Sequence, residues 1–160
     1  MQIYILRHGI AEDQKPGFSD ADRALTKEGR EKLEAVLKRA AEAGLSPSTI
    51  LTSPFLRATQ TAEIAAKTLK HISTPVRTDA LIPSSSPRAV WDEIREYRSA
   101  DQLLLAGHEP LLGQLVSYLL GAPSLQVDMK KAALVRIDLE GFRGEPHGVL
   151  KWMLTPKLVE

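Results

Sequence analysis

Four side chains in this sequence have the types and placement to handle phosphorus: Arg7, His8, Arg57 and His108. Arg7 and His8 stand in Arg7-His8-Gly9, just after an apolar run. Arg57 follows Ser53-Pro54, and His108 lies in Gly107-His108-Glu109-Pro110. Guanidinium groups offer planar forks that match phosphate oxygens bidentately. A neutral imidazole can attack phosphorus and form a covalent phosphohistidine. A second imidazole can donate to the phosphoryl oxygens and share the charge of the transition state. With the arginines and histidines supplying positive charge, this chemistry asks for no Mg²⁺ and no other cofactor.

These residues act together only if the elements before them end in one place. The chain alternates strand and helix patterns, which predicts an α/β fold with a largely parallel sheet. Strands are expected at Gln2–Leu6, Thr49–Thr52, Val76–Thr78 and Gln102–Ala106. Helices are expected over Lys27–Ala43, Phe55–Lys70, Pro87–Tyr97 and Pro110–Leu120. Thr26 is a good cap for the first helix and Gly44 a good stop. Ser86-Pro87 forms a cap followed by proline at the first helical position. Ala133–Leu139 and Val149–Leu154 read as an antiparallel hairpin, and Gly9–Leu25 as a polar loop over the site. Ligands of open α/β sheets bind beyond the carboxyl ends of the strands. The three motifs follow three such ends.

At 160 residues the chain has the length of a single domain, long enough to bury a core without staples. Cysteine is absent, which excludes disulfides and thiolate metal sites. Lys and Arg total 21 against 20 Asp and Glu, so no basic excess points to nucleic acid or a membrane surface. No apolar run approaches the length of a membrane span, and no secretory signal pattern opens the chain. A cytoplasmic location is the expectation.

Arg7-His8-Gly9, Arg23-Ala24-Leu25-Thr26 with Gly29, Ser53-Pro54-x-x-Arg57-Ala58-x-Gln60-Thr61-Ala62 and Gly107-His108-Glu109-Pro110 resemble, in order and spacing, the motifs of the histidine phosphatase superfamily. The match runs from residue 3 to about residue 120, and the short length is most similar to the SixA-type phosphohistidine phosphatases. The resemblance implies a three-layer α/β/α sandwich of the phosphoglycerate-mutase type. It implies His8 as the phosphorylated nucleophile, with Arg7, Arg57 and His108 binding the phosphoryl group. Arg23 matches a loop arginine that reaches substrate in the family. Beside Asp20 and Asp22, Arg23 reads equally well as half of a solvated ion pair.

One departure separates the candidate substrates. Most relatives carry an acid, usually Glu, between the second arginine and the second histidine, and it protonates the leaving oxygen. The matching stretch here, Asp79 to Ser86, holds no Glu, and Asp79 lies ahead of the loop. A basic alkoxide needs that proton, whereas an imidazole can leave already protonated. The expected substrate is therefore a phosphohistidine on a phosphotransfer or signalling protein, which suits an open site without long insertions. A small-molecule phosphomonoesterase on the same fold is the nearest rival. A phosphate-binding pseudoenzyme is the rival from another class, and the intact His8 argues against it.

Other residues have plainer readings. Ser53 lacks the Gly-x-Ser-x-Gly elbow of a serine nucleophile and suits a helix start. Glu109 either orients His108 or caps the following helix. His71, His147, Glu12 and Asp13 read as surface residues, and the histidines lack zinc-ligand spacing.

Overall fold

Alternation along the first strand divides the molecule into two packed layers around one sheet. In the computed structural model, which describes residues 1–160, Ile3 and Ile5 of β1 (Gln2–Arg7) face one core and Tyr4 and Leu6 the other. Successive strand side chains point to opposite faces, so a strand buried on both sides must be apolar at every position.

On one face lie α3 (Pro87–Glu96) and α4 (Leu111–Leu119), whose Trp91, Ile94, Leu112 and Leu115 pack on Leu103 and Leu105 of β4 (Gln102–Gly107). On the other lie α1 (Lys27–Glu42) and α2 (Leu56–Thr68). Leu33, Val36, Leu37 and Ala40 make the α1 stripe, and α2 contributes Ala62 and Ala65. Burying each large aliphatic side chain contributes about 1.5–3 kcal/mol. The result is the expected three-layer sandwich.

The start signals act as the sequence suggests. Thr26 Oγ1 accepts from the Gly29 amide at 2.9 Å, and Ser86 Oγ from Ala89 at 3.2 Å. Gly44, at φ +94°, turns the chain out of α1. Element ends differ modestly: β1 runs one residue further than expected, and β3 (Val76–Arg77) is only two residues long. Helix α2 stops at Thr68, and Lys70 takes the left-handed conformation at φ 55°.

The sheet order is β3-β2-β4-β1-β5-β6, with β2 at Thr49–Thr52, β5 at Leu134–Asp138 and β6 at Val149–Leu154. The first four strands are parallel, and β5 and β6 form the antiparallel hairpin. Arg7 pairs with Gly107 and Thr52 with Ala106, so β2, β4 and β1 end side by side. Residues far apart in sequence thus meet at one edge of the layer. Because β5 runs antiparallel, its first residue, Leu134, lies opposite Leu6 at that same end. The segment just before β5 is stitched there. The Arg7 amide donates to Ala133 O at 3.0 Å and the Ala132 amide to His8 O at 3.1 Å. No helix is long and apolar enough to cross a membrane.

Candidate active site

His8, Arg57 and His108 converge beyond the three strand ends, each no more than 5% exposed. Burial of polar groups is tolerated only when they find partners, so each nitrogen carries information. His8 Nδ1 lies 2.7 Å from Gly9 O, which accepts only from a protonated nitrogen. Arg57 Nε donates to His8 Nε2 at 3.3 Å, which requires Nε2 to carry its lone pair. Both contacts select one neutral tautomer, with Nε2 as the free base. Burial pushes the His8 imidazole down to about 4; the Gly9 carbonyl opposes this, and Arg57, Arg7 and Arg23 reinforce it.

The same logic assigns His108. Its ring lies 5.2 Å from that of His8, and its Nε2 is 2.8 Å from Ser53 Oγ. Ser53 is buried, its Oγ accepts from the Phe55 amide at 3.2 Å, and the one acceptor its own proton meets is His108 Nε2, so the hydroxyl donates there. The proton of neutral His108 then resides on Nδ1, which is buried and has no protein partner. Burial drives the His108 imidazole down to about 3, with the charges of His8 and Arg57 adding to the effect. Phe55 walls this corner, edge-on to His108 at 5.2 Å and under the Arg57 guanidinium at 5.2 Å.

Arg7 is held from the far side, donating from Nη1 to Met129 O at 2.7 Å. Its buried Nε has no partner. Two buried N–H groups, on Arg7 and His108, are therefore unmatched by acceptors of the protein. The only other buried side-chain nitrogen without a partner, His71 Nε2, lies near the opposite end of the sheet, where Nδ1 meets Pro47 O at 3.0 Å.

The loop between β1 and α1 closes over Arg57, as expected, through a residue that sequence reasoning did not single out. Asp20 takes Arg57 Nη1 on its carbonyl at 2.8 Å and Nη2 on its carboxylate at 3.1 Å. Arg23 Nε donates to the other Asp20 oxygen at 2.8 Å, and Arg23 Nη1 to Glu12 O at 3.0 Å. Arg23 thus stands one residue back from the pocket, in the ion pair with Asp20. Burial raises the Asp20 carboxyl, but the hydrogen bond from Arg23 and the charge of Arg57 outweigh it and hold the group below its usual range.

The remaining motif residues fasten these parts. Thr61 Oγ1 accepts from the Gly9 amide at 3.2 Å and donates to Arg57 O at 2.7 Å. Gln60 accepts from the Leu25 amide at 2.8 Å, tying the loop to α2. Gly29 has no room for a side chain, because an added Cβ would sit 2.2 Å from Ile10 O. Glu109 settles as a helix cap, its Oε1 accepting from the Gly113 amide at 2.6 Å. Its half-buried carboxyl is pushed up by burial, opposed by the Gly113 hydrogen bond and the charge of Arg7. Asp79 is exposed, as are Glu12, Asp13 and His147.

Sequence reasoning missed Ser53 as a partner of His108, together with Asp20, Phe55 and the Met129 carbonyl. Ser53 had a signal: it directly follows β2, next to the strand that delivers His108.

The chain is similar to known proteins over its whole length. Residues 3–82 match the family model described as histidine phosphatase superfamily (branch 1). An uncharacterized protein of Picosynechococcus sp. is 36% identical over 152 residues, spanning 92% of this chain and 90% of that one. Phosphohistidine phosphatase SixA of Escherichia coli is 28% identical over 159 residues, spanning 98% and 94%. The structure of the protein histidine phosphatase SixA complexed with tungstate superposes over the whole of both chains, with a TM-score of 0.87 and 26% identity. With a family match over half of its length and a conserved-length relative above 30% identity, the chain belongs to the histidine phosphatase superfamily.

Proposed function

We propose that this phosphatase removes the phosphoryl group from phosphohistidine on a partner protein, through a covalent intermediate on His8. One observation carries the reading: a neutral His8 presents the Nε2 lone pair among cationic and N–H donors, two of which, Arg7 Nε and His108 Nδ1, have no protein acceptor.

In the first step His8 Nε2 forms a bond to phosphorus while the phosphorus–nitrogen bond of the substrate breaks. The departing imidazole keeps its electron pair and leaves as a neutral ring if its other nitrogen is protonated. Arg7, Arg57 and the His108 Nδ1 proton bind the three phosphoryl oxygens as charge spreads over them. In the second step water attacks phosphorus, the bond to His8 breaks, and inorganic phosphate departs. Arg57 is prepared for this role by its place in the first turn of α2, where backbone amides also favour an anion.

The preference for phosphohistidine rests on proton supply. Asp20 is the carboxylate that touches Arg57, and its two arginine partners keep it ionised, so it has no proton to give. No acid lies in the Asp79–Ser86 stretch beyond the exposed Asp79. Small phosphate esters are the second reading, favoured by a single feature, the Glu109 carboxyl that burial pushes toward its protonated form.

The deciding experiment compares a histidine-phosphorylated carrier protein with a panel of phosphomonoesters, with and without EDTA. Rapid loss of phosphohistidine, slow ester hydrolysis and indifference to EDTA are expected. Efficient ester hydrolysis that collapses in Glu109→Gln would replace this reading with the second one.

A further inference from the structure

A second cationic feature lies at the same end of the sheet as the pocket, and its lysines play no part in the chemistry above. The turn that precedes β5 carries Lys130 and Lys131, immediately beside the backbone that holds Arg7 and His8. Strand β6 ends opposite Leu134, so the segment after it, with Lys157, emerges next to that turn. Lys32 of α1 completes the wall. Together with Arg7 these residues line a groove of about 600 Å³, in which Glu160 is the single acidic side chain.

The charge gathered here is not a reflection of composition, because the chain as a whole carries only +1. Lys32 is paired with Glu28 at 3.0 Å and Lys130 with Asp128 at 2.8 Å, whereas Lys131 and Lys157 are exposed and have no carboxylate partner. Apart from Arg7 the cations are lysines, point charges on flexible stems that fix no fork geometry for a single phosphate. No aromatic side chain lines the groove to stack a base, which argues against a nucleic-acid strand. Arg7 belongs to both features, so the groove adjoins the phosphoryl site.

We infer that this lysine-lined groove docks an acidic surface flanking the phosphohistidine of the partner protein. The inference rests on the phosphohistidine reading and adds the element that selects the protein bearing it. Charges on an interface rim act mainly by steering encounter and setting register, and their effect fades as salt screens them.

The test is the double variant Lys131→Glu/Lys157→Glu. Its kcat/KM is measured on a histidine-phosphorylated carrier with Asp and Glu beside the phosphorylated helix, and on phosphoramidate, which cannot reach the groove and the pocket together. At low salt the variant should lose about tenfold or more on the carrier, a loss typical of reversed rim charges, while phosphoramidate turnover stays within about twofold. The loss should shrink at high salt, and a carrier with the flanking acids changed to Lys should recover it. Equal rates on the carrier, or parallel losses on both substrates, would overturn the groove while leaving the phosphohistidine reading intact. A wild-type enzyme that hydrolyses phosphoramidate but no phosphorylated carrier would overturn both.

Discussion

A buried pair of neutral histidines needs its protons placed, and here two short contacts place them. Gly9 O fixes the proton of His8 on Nδ1, and the Ser53 hydroxyl fixes that of His108 on Nδ1 as well. Ser53 is therefore a positioning residue with a measurable signature. Ser53→Ala should lower kcat by about tenfold, the rate equivalent of one buried hydrogen bond of about 1–1.5 kcal/mol, with little change in KM. Ser53→Thr, which keeps the hydroxyl, should recover part of it. An unchanged kcat in Ser53→Ala would mean that the His108 tautomer is set by something else.

At the scale of elements, the register of three parallel strands does the work of assembly. Arg7 opposite Gly107 and Thr52 opposite Ala106 bring the ends of β1, β4 and β2 into one line. Helix α1 then seats so closely on the strand exit that Gly29 lies against the Ile10 carbonyl. Gly29→Ala should destabilise the protein by about 1–3 kcal/mol, as overpacking against backbone does, and chemical denaturation measures it directly. An unchanged midpoint would show that the loop yields freely.

Gly9 shows how far the sequence could be read. Its place after His8 is plain in the motif, but the reason for a glycine there lies in α1: an added Cβ would meet Gly29 O at 3.1 Å. The strands, the helices and the motifs at their ends were legible because apolar periodicity and capping residues are local signals. Met129 and Asp20 were not, because Met129 acts through a backbone carbonyl and Asp20 through a loop contact to Arg57. Neither leaves a trace in residue spacing. Glu109 had two sensible roles, and only the position of the Gly113 amide chose between them.

For the whole molecule, the site imposes a cost in stability that depends on pH. An unfolded histidine titrates near 6.5, whereas folded His8 and His108 stay neutral down to about 4 and about 3. Between these values the unfolded chain binds more protons, so stability is full above about pH 6.5 and falls as pH drops toward 4. The Tm should therefore decline from pH 7.5 to pH 5, and decline less in His8→Ala/His108→Ala. The same slope in both proteins would contradict neutral burial of this pair.

The most direct test of the account is to trap the intermediate. Wild-type enzyme mixed briefly with phosphorylated substrate, quenched in alkali and digested, should yield one phosphopeptide, with the phosphoryl group on His8 by tandem mass spectrometry. His8→Ala, folded with native circular dichroism, should yield none and show no turnover. Turnover without a phosphorylated His8, or continued turnover in His8→Ala, would contradict the covalent mechanism.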